Sequence, residues 1–118
     1  MNIFTRLFGR RAKEQKLRRD LIKKLDGRAI KYVVERLPMQ KDSGESIEEQ
    51  TIGRKGALII KDNKLLVFAD GKVIFRASTD ILEASELMSL VGVILTAPDI
   101  ENENRIRTIV AYYTYYLK

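Results

Sequence analysis

The chain has 118 residues and a formal charge of +6, a length that corresponds to one small domain. It contains no cysteine, histidine or tryptophan, which excludes disulfides, thiolate nucleophiles, histidine bases and the commonest zinc ligands. No phosphate-binding or nucleophile-elbow glycine motif is present either. We therefore predict that the protein is not an enzyme and holds no metal or cofactor.

The positive charge is concentrated at the N-terminus. Residues 1–28 contain ten Lys/Arg and three Asp/Glu, a net charge of +7, whereas residues 29–118 contain twelve and thirteen, a net charge of −1. This asymmetry predicts two parts, a basic helical segment over 1–28 and a nearly neutral domain over 29–118.

The basic segment has the spacing of amphipathic helices. Residues 1–8 carry an apolar stripe formed by Ile3, Phe4, Leu7 and Phe8. Residues 12–25 repeat the pattern with Leu17, Leu21, Ile22 and Leu25, and Asp26-Gly27 predicts the end of the helix. Neither apolar stretch is long enough for a signal peptide or a membrane span, so we expect a cytoplasmic protein.

From Ala29 onward the pattern changes to the alternation of strands. A first strand is predicted to end at Leu37-Pro38, and the polar residues 39–50 to form an exposed loop. Asp62-Asn63 and Asp70-Gly71 are typical two-residue hairpin turns. They separate three short apolar runs, which predict three consecutive antiparallel strands: Leu58 to Ile60, Leu65 to Phe68 and Val73 to Phe75.

The last third of the chain is predicted to add further strands. Residues 79–90 fit either a capped helix or a strand, and we favour a strand because a turn at Val91-Gly92 would make it half of a hairpin. A polar loop follows over 99–104. Residues 105–117 are β-branched and aromatic, which predicts a long final strand.

These elements predict a mainly β protein in which about seven antiparallel strands form a small barrel or sandwich after a basic helix. The GALIIKDNKLLVF run, Thr79-Asp80-Ile81 and the Gly-Val-Ile-Leu strand resemble the rhythm of PH-like and GRAM-like domains. Those domains close one barrel end with a C-terminal helix, which this pattern lacks. We expect the helix over 12–25 to cap that end instead, with Leu17, Leu21, Ile22 and Leu25 against the barrel. The chain also resembles small bacterial proteins that begin with a short Phe/Leu and Lys/Arg segment, a resemblance that implies no particular activity.

The N-terminal stripe predicts a binding surface, because four large apolar side chains are costly to leave in water. It could pack on its own barrel, on a second copy or protein partner, or on an anionic membrane, where neighbouring cations would assist. The membrane- or partner-binding residues are then Ile3, Phe4, Leu7, Phe8, Arg6, Arg10, Arg11 and Lys13.

RNA binding is the alternative function. The run Gly53, Arg54, Lys55 and Gly56 matches the GXXG loop of KH domains, and the basic helix would contribute Arg18 and Arg19. A short helix before bent strands is also similar to Sm-like barrels. A KH loop requires a helix on each side, whereas the turns that follow here predict strands, so a bulged strand is the competing interpretation.

The tyrosines near the C-terminus are divided between the two faces of the predicted last strand. Tyr112 and Tyr116 point one way, and Tyr113 and Tyr115 point the other. One pair is expected to pack in the core. We take Tyr113 and Tyr115 as the candidate aromatic surface for a protein partner.

Overall fold

The computed structural model describes residues 16–41 and 44–114; for residues 38–41 and 44–47 it describes the backbone alone. A helix, α1, covers residues 16–25. Seven strands follow it: β1 (Ala29–Lys41), β2 (Gly44–Lys61), β3 (Lys64–Ala69), β4 (Lys72–Ser78), β5 (Glu83–Glu86), β6 (Gly92–Asp99) and β7 (Arg105–Tyr112). The predicted fold class, a basic helix followed by seven antiparallel strands, is confirmed. The likeness to PH-like domains stays a prediction.

The strands form one antiparallel sheet in the order β4-β3-β2-β1-β7-β6-β5. The first and last strands are therefore neighbours at its centre, with Val34 opposite Val110. The sheet curls until β4 packs against β6 and against a short 3-10 turn, Ile100–Asn102, without a strand ladder between them. It is thus a curled, open sheet that encloses one core.

The two hairpin turns form as predicted. Asp62 and Asn63 have φ values of 53° and 59°, and Asp70 and Gly71 have values of 56° and 77°. Positive φ at both central residues matches the twist of the flanking strands. These turns fix the register of β2, β3 and β4.

The predicted loop over residues 39–50 is wrong. β1 continues to Lys41 rather than ending at Leu37-Pro38, and it pairs with β2 up to Lys41 opposite Gly44. β7 pairs with β1 only as far as Arg36, and β3 pairs with β2 only from Gly56. In this distal part, β1 and β2 pair only with each other among the described strands. Its sequence lacks the alternation by which strands are usually recognised.

The segment over 79–90 contains the short strand β5, which supports the strand interpretation over the helix. The turn before β6 lies over residues 88–91, slightly earlier than the Val91-Gly92 turn expected. The final strand is shorter than predicted: β7 ends at Tyr112, and a bend follows at residues 113–114. The Tyr113 amide donates to the Val91 carbonyl at 2.8 Å, and Tyr115 and Tyr116 lie outside the described residues.

α1 packs one stripe into the same core as the strands. Ile22 and Leu25 are buried and Leu21 is half-buried, as expected of a helix that covers the barrel. Leu17 was predicted to join them but is 69% exposed, because Arg18 rather than Leu17 turns toward the domain and donates to the Asp80 carbonyl. Asp26 and Gly27 end the helix as predicted: the Asp26 carboxylate accepts from the Ile60 amide at 2.9 Å.

Candidate binding surfaces

The outer face of α1 is cationic. Ile22 and Leu25 anchor the opposite side in the core, so the helical period of 3.6 residues turns the basic residues outward. Exposed Leu17 is the one large apolar side chain among them. The exposed cations are Lys16, Arg19, Lys23 and Lys24, and we call this group with Leu17 the basic helix face.

All eight predicted membrane-binding residues precede the described part of the chain. Ile3, Phe4, Arg6, Leu7, Phe8, Arg10, Arg11 and Lys13 all lie outside the described residues, as does Tyr115. Of the predicted helix residues for nucleic acid, Arg19 is exposed and Arg18 is partly buried against Asp80. Within residues 16–41 and 44–114, no helix is long and apolar enough to cross a membrane.

Gly53 and Gly56 lie within β2, as the competing strand interpretation expected, so the helix that a KH loop requires on each side is not formed. RNA binding through the other basic residues stays a prediction. A Cβ atom on Gly56 would come 1.8 Å from the Phe68 carbonyl oxygen, and one on Gly53 would come 2.6 Å from the Ala69 Cβ. Such distances are impossible for real side chains. The two glycines therefore allow β2 and β3 to approach, which accounts for them without a nucleic-acid ligand. Arg54 and Lys55 between them are exposed.

Tyr113 faces the domain rather than open solvent. It is half-buried against the core, and the Arg28 guanidinium lies 4.0 Å from the centre of its ring, a cation–π contact. Burial raises the pKa of Tyr113, and the nearby charge of Arg28 opposes that rise. Tyr112 lies on the other sheet face, where its ring stacks on Tyr32 with 4.5 Å between the ring centres.

The stacked tyrosines form the floor of a groove on the outer sheet face. Its volume is about 580 Å³, and Leu87, fully exposed Met88 and Glu49 form the walls. The Glu49 carboxylate forms an ion pair with Arg36, with 3.1 Å between Oε1 and Nε. The groove offers an aromatic and apolar surface with one paired carboxylate, a composition typical of sites that bind protein side chains.

A charged cluster centred on Arg107 is buried where β4 meets β6. The Arg107 guanidinium donates to both oxygens of Glu35, at 2.9 and 2.7 Å, and to Asp99 at 2.6 Å. It also donates to the Ile74 carbonyl, and Asp99 accepts from the Arg76 amide. These bonds join β4 to β6 and β7 where the sheet has no ladder.

The ionisation of this cluster follows from its hydrogen bonds. Bonds from Arg107 lower the pKa of Glu35 in spite of burial. Burial would raise the pKa of Asp99, but donors from Asn102, Arg76 and Arg107 outweigh burial and lower it. The Glu35 bonds in turn raise the pKa of Arg107. All three shifts favour the charged forms, so Arg107 with Glu35 and Asp99 forms a set of charge-assisted hydrogen bonds that ties β4 to β6 and β7.

The free edge of β5 is acidic. Asp80, Glu83 and Glu86 are exposed, and none of their carboxylates forms an ion pair with a side chain in the described parts of the chain. The signal was present in the sequence: residues 77–104 contain six Asp/Glu and no Lys/Arg. The net charge of residues 29–118 is only −1, so the sum over the whole domain did not reveal this acidic stretch. We call these three residues the acidic edge.

A cleft lies between α1 and the end of β5 at Glu86. It has a volume of about 260 Å³ and is lined by Leu21, Lys24, Leu25, Arg28, Glu86, Leu90 and Tyr113. The Leu87 amide donates to the Gly92 carbonyl. In an antiparallel ladder every second residue forms such bonds. The N–H and C=O groups of Ala84 and Glu86, which lie between the bonded residues, therefore point away from β6. No described strand pairs with that side of β5.

Comparison of the chain with protein-family models, with curated proteins and with solved structures gave no significant match. Functional inference therefore depends on the surfaces described above.

Proposed function

We propose that the protein is a non-enzymatic cytoplasmic binding module that attaches reversibly to anionic membrane surfaces through the basic helix face and the segment preceding it. The supporting observation is the orientation of α1. Its apolar stripe is already used in the core, while four cations, the carboxylate of Asp20 and Leu17 remain in solvent on the other side. A helix held in this way can lie along a charged surface without unfolding any part of the domain.

The energetics favour weak, salt-sensitive attachment. Each cation near an anionic surface contributes about 1 kcal/mol at physiological ionic strength, and the basic helix face offers four. Arg6, Arg10, Arg11 and Lys13 would add to this, and Phe4 and Phe8 would supply apolar anchoring. The loss of overall freedom on binding removes much of the total. The β domain, with the groove at Tyr32 and Tyr112, would then present a protein partner with a site near the membrane.

Charge reversal on α1 tests the proposal. The Lys16→Glu/Lys23→Glu variant changes two exposed side chains and leaves the buried stripe intact, so the domain should remain folded. Its affinity for vesicles containing phosphatidylserine should fall at least about tenfold, because two attractive charges become repulsive. Sedimentation with vesicles measures the bound fraction.

The matched control is Lys72→Glu/Arg105→Glu, which changes the total charge by the same amount. Both residues are exposed. Arg105 is the first residue of β7, and the opposite end of that strand leads to Tyr113 beside α1. This variant should retain affinity close to that of the unchanged protein. Equal losses in the two variants would mean that net charge, and not the basic helix face, controls binding.

A further inference from the structure

We propose that the cleft between α1 and the end of β5 binds the phosphate headgroup of a single anionic lipid. The proposed membrane attachment supplies the source of that lipid, and in this respect the inference rests on it. The cleft has a volume of about 260 Å³. With about 30 Å³ for each water molecule, this volume corresponds to the glycerol phosphate part of a lipid rather than to the whole molecule.

Two cations form the polar part of the cleft wall. Lys24 lies on α1 and Arg28 follows the end of that helix. In the described parts of the chain, neither side chain forms an ion pair. Glu86 supplies the one carboxylate among the described lining residues, so two positive charges face one negative charge. This balance favours an anionic occupant.

Arg28 is oriented by its contact with Tyr113. The guanidinium lies over the Tyr113 ring, 4.0 Å from its centre, and such a contact uses the flat face of the guanidinium. Its N–H donors lie in the plane of the group, so they stay available for an acceptor. Phosphate oxygens accept two parallel bonds from a guanidinium, and phosphate is therefore the anion that this side chain fits best.

Apolar side chains form the rest of the cleft wall. Leu21 is half-buried, Leu25 is buried and Leu90 is 64% exposed. The glycerol and first acyl methylenes of a lipid would remove this apolar surface from water, whereas a free phosphate ion would leave it exposed. The mixed wall therefore favours a phosphate group that carries an apolar chain.

The cleft lies beside the basic helix face. Leu21, Lys24 and Leu25 are three or four residues apart and so share one side of α1, and Lys24 also belongs to the basic helix face. A headgroup in the cleft and the other cations of that face can therefore contact the same membrane surface.

Titration with a soluble lipid tests the site. The full chain is titrated with dihexanoyl phosphatidic acid below its micelle-forming concentration, and NMR follows the amide signals of Arg28, Leu90 and Tyr113. We expect saturable binding, at least about tenfold tighter than that of glycerol phosphate, which lacks the acyl chains. Lys24→Gln should weaken lipid binding about fivefold, because one cationic partner of the phosphate is lost. Glu86→Gln should tighten it, because an opposing charge is removed.

Two substitutions provide matched controls. Lys23→Gln removes the neighbouring charge of α1, and Glu83→Gln removes another carboxylate of β5. Both residues are exposed and neither lines the cleft, so lipid binding should stay at the level of the unchanged protein. The absence of saturable binding, equal weakening by Lys24→Gln and Lys23→Gln, or equal affinity for glycerol phosphate and the lipid would overturn the proposal.

The titration contains no vesicles, so its outcome is separable from the proposed membrane attachment. Vesicle binding that persists while the titration fails would overturn the cleft site alone. A titration that succeeds while vesicle binding fails would overturn the surface attachment alone.

Discussion

At the scale of single residues, Arg107 has the most specific role in the fold. Its guanidinium is 8% exposed and makes four hydrogen bonds, to Glu35, Asp99 and the Ile74 carbonyl. These partners belong to β1, β6 and β4. One side chain thus replaces the missing ladder between β4 and β6.

Replacing Arg107 should be strongly destabilising. Arg107→Met leaves two buried carboxylates without their cation, and we expect the free energy of unfolding to fall by about 3–5 kcal/mol. Arg105→Met removes an exposed charge two residues earlier on the same strand and should change it by less than about 0.5 kcal/mol. Urea denaturation followed by circular dichroism compares the variants. Similar losses of unfolding free energy in the two variants would show that the buried cluster does not stabilise the contact between β4 and β6.

The same cluster predicts an acid limit to stability. The fold lowers the pKa of Glu35 and Asp99, so the unfolded chain takes up protons first as the pH falls. The stability that these groups contribute is fully present above the unfolded pKa values, about 4, and is lost as the pH falls through the lower folded values. Unfolding free energies measured from pH 7 downward should therefore decline below about pH 4. A decline already complete at pH 6 would contradict this.

The two glycines of β2 show what a sequence motif cannot establish. Gly53 and Gly56 match a nucleic-acid loop by spacing alone, yet both are explained by the approach of β3. The spacing of a motif depends only on residues close together in the sequence. The residues that leave no room for a side chain at Gly53 and Gly56 belong to β3, more than ten residues further along the chain. Arg107 was missed for the same reason, because its partners Glu35 and Asp99 are distant in sequence.

At the scale of elements, α1 is both part of the core and a candidate binding surface. Ile22 is 5% exposed and Leu17 is 69% exposed, although both occupy apolar positions of one predicted stripe. The tertiary environment, and not the periodicity, separates their roles.

Alanine substitutions should distinguish the two faces of this helix. Ile22→Ala should lower the free energy of unfolding by about 2–5 kcal/mol, because it leaves a cavity in the core. Leu17→Ala should leave stability within about 0.5 kcal/mol of the unchanged protein. Thermal or urea unfolding measures both effects. A large loss in Leu17→Ala would mean that this side chain is covered rather than exposed.

Turn chemistry was the most predictable part of the elements. Asp62-Asn63 and Asp70-Gly71 require positive φ, and that requirement is local to two residues. The distal β1–β2 ribbon was not predictable, because its residues are mostly polar and do not alternate, a composition that is typical of a loop. The early end of β7 was not predictable either, since Tyr113 and Thr114 have the same strand-like composition as the residues before them.

At the scale of the whole molecule, charge is segregated more sharply than the total suggests. The net charge of +6 hides a cationic helix face and an acidic edge. Summing charge by segment identified the first. It missed the second, because residues 29–76 carry a net charge of +2 and residues 105–118 a net charge of +3, which nearly cancel the −6 of residues 77–104. Segregation of this kind favours oriented, salt-dependent association over catalysis.

Binding of the full chain to vesicles of two compositions tests the membrane proposal most directly. The protein should sediment with vesicles that contain phosphatidylserine, should remain in solution with vesicles of phosphatidylcholine alone, and should be released from the former by raised salt. Failure to sediment with the anionic vesicles, or equal recovery with both compositions, would contradict the proposal that the basic helix face attaches the protein to a membrane.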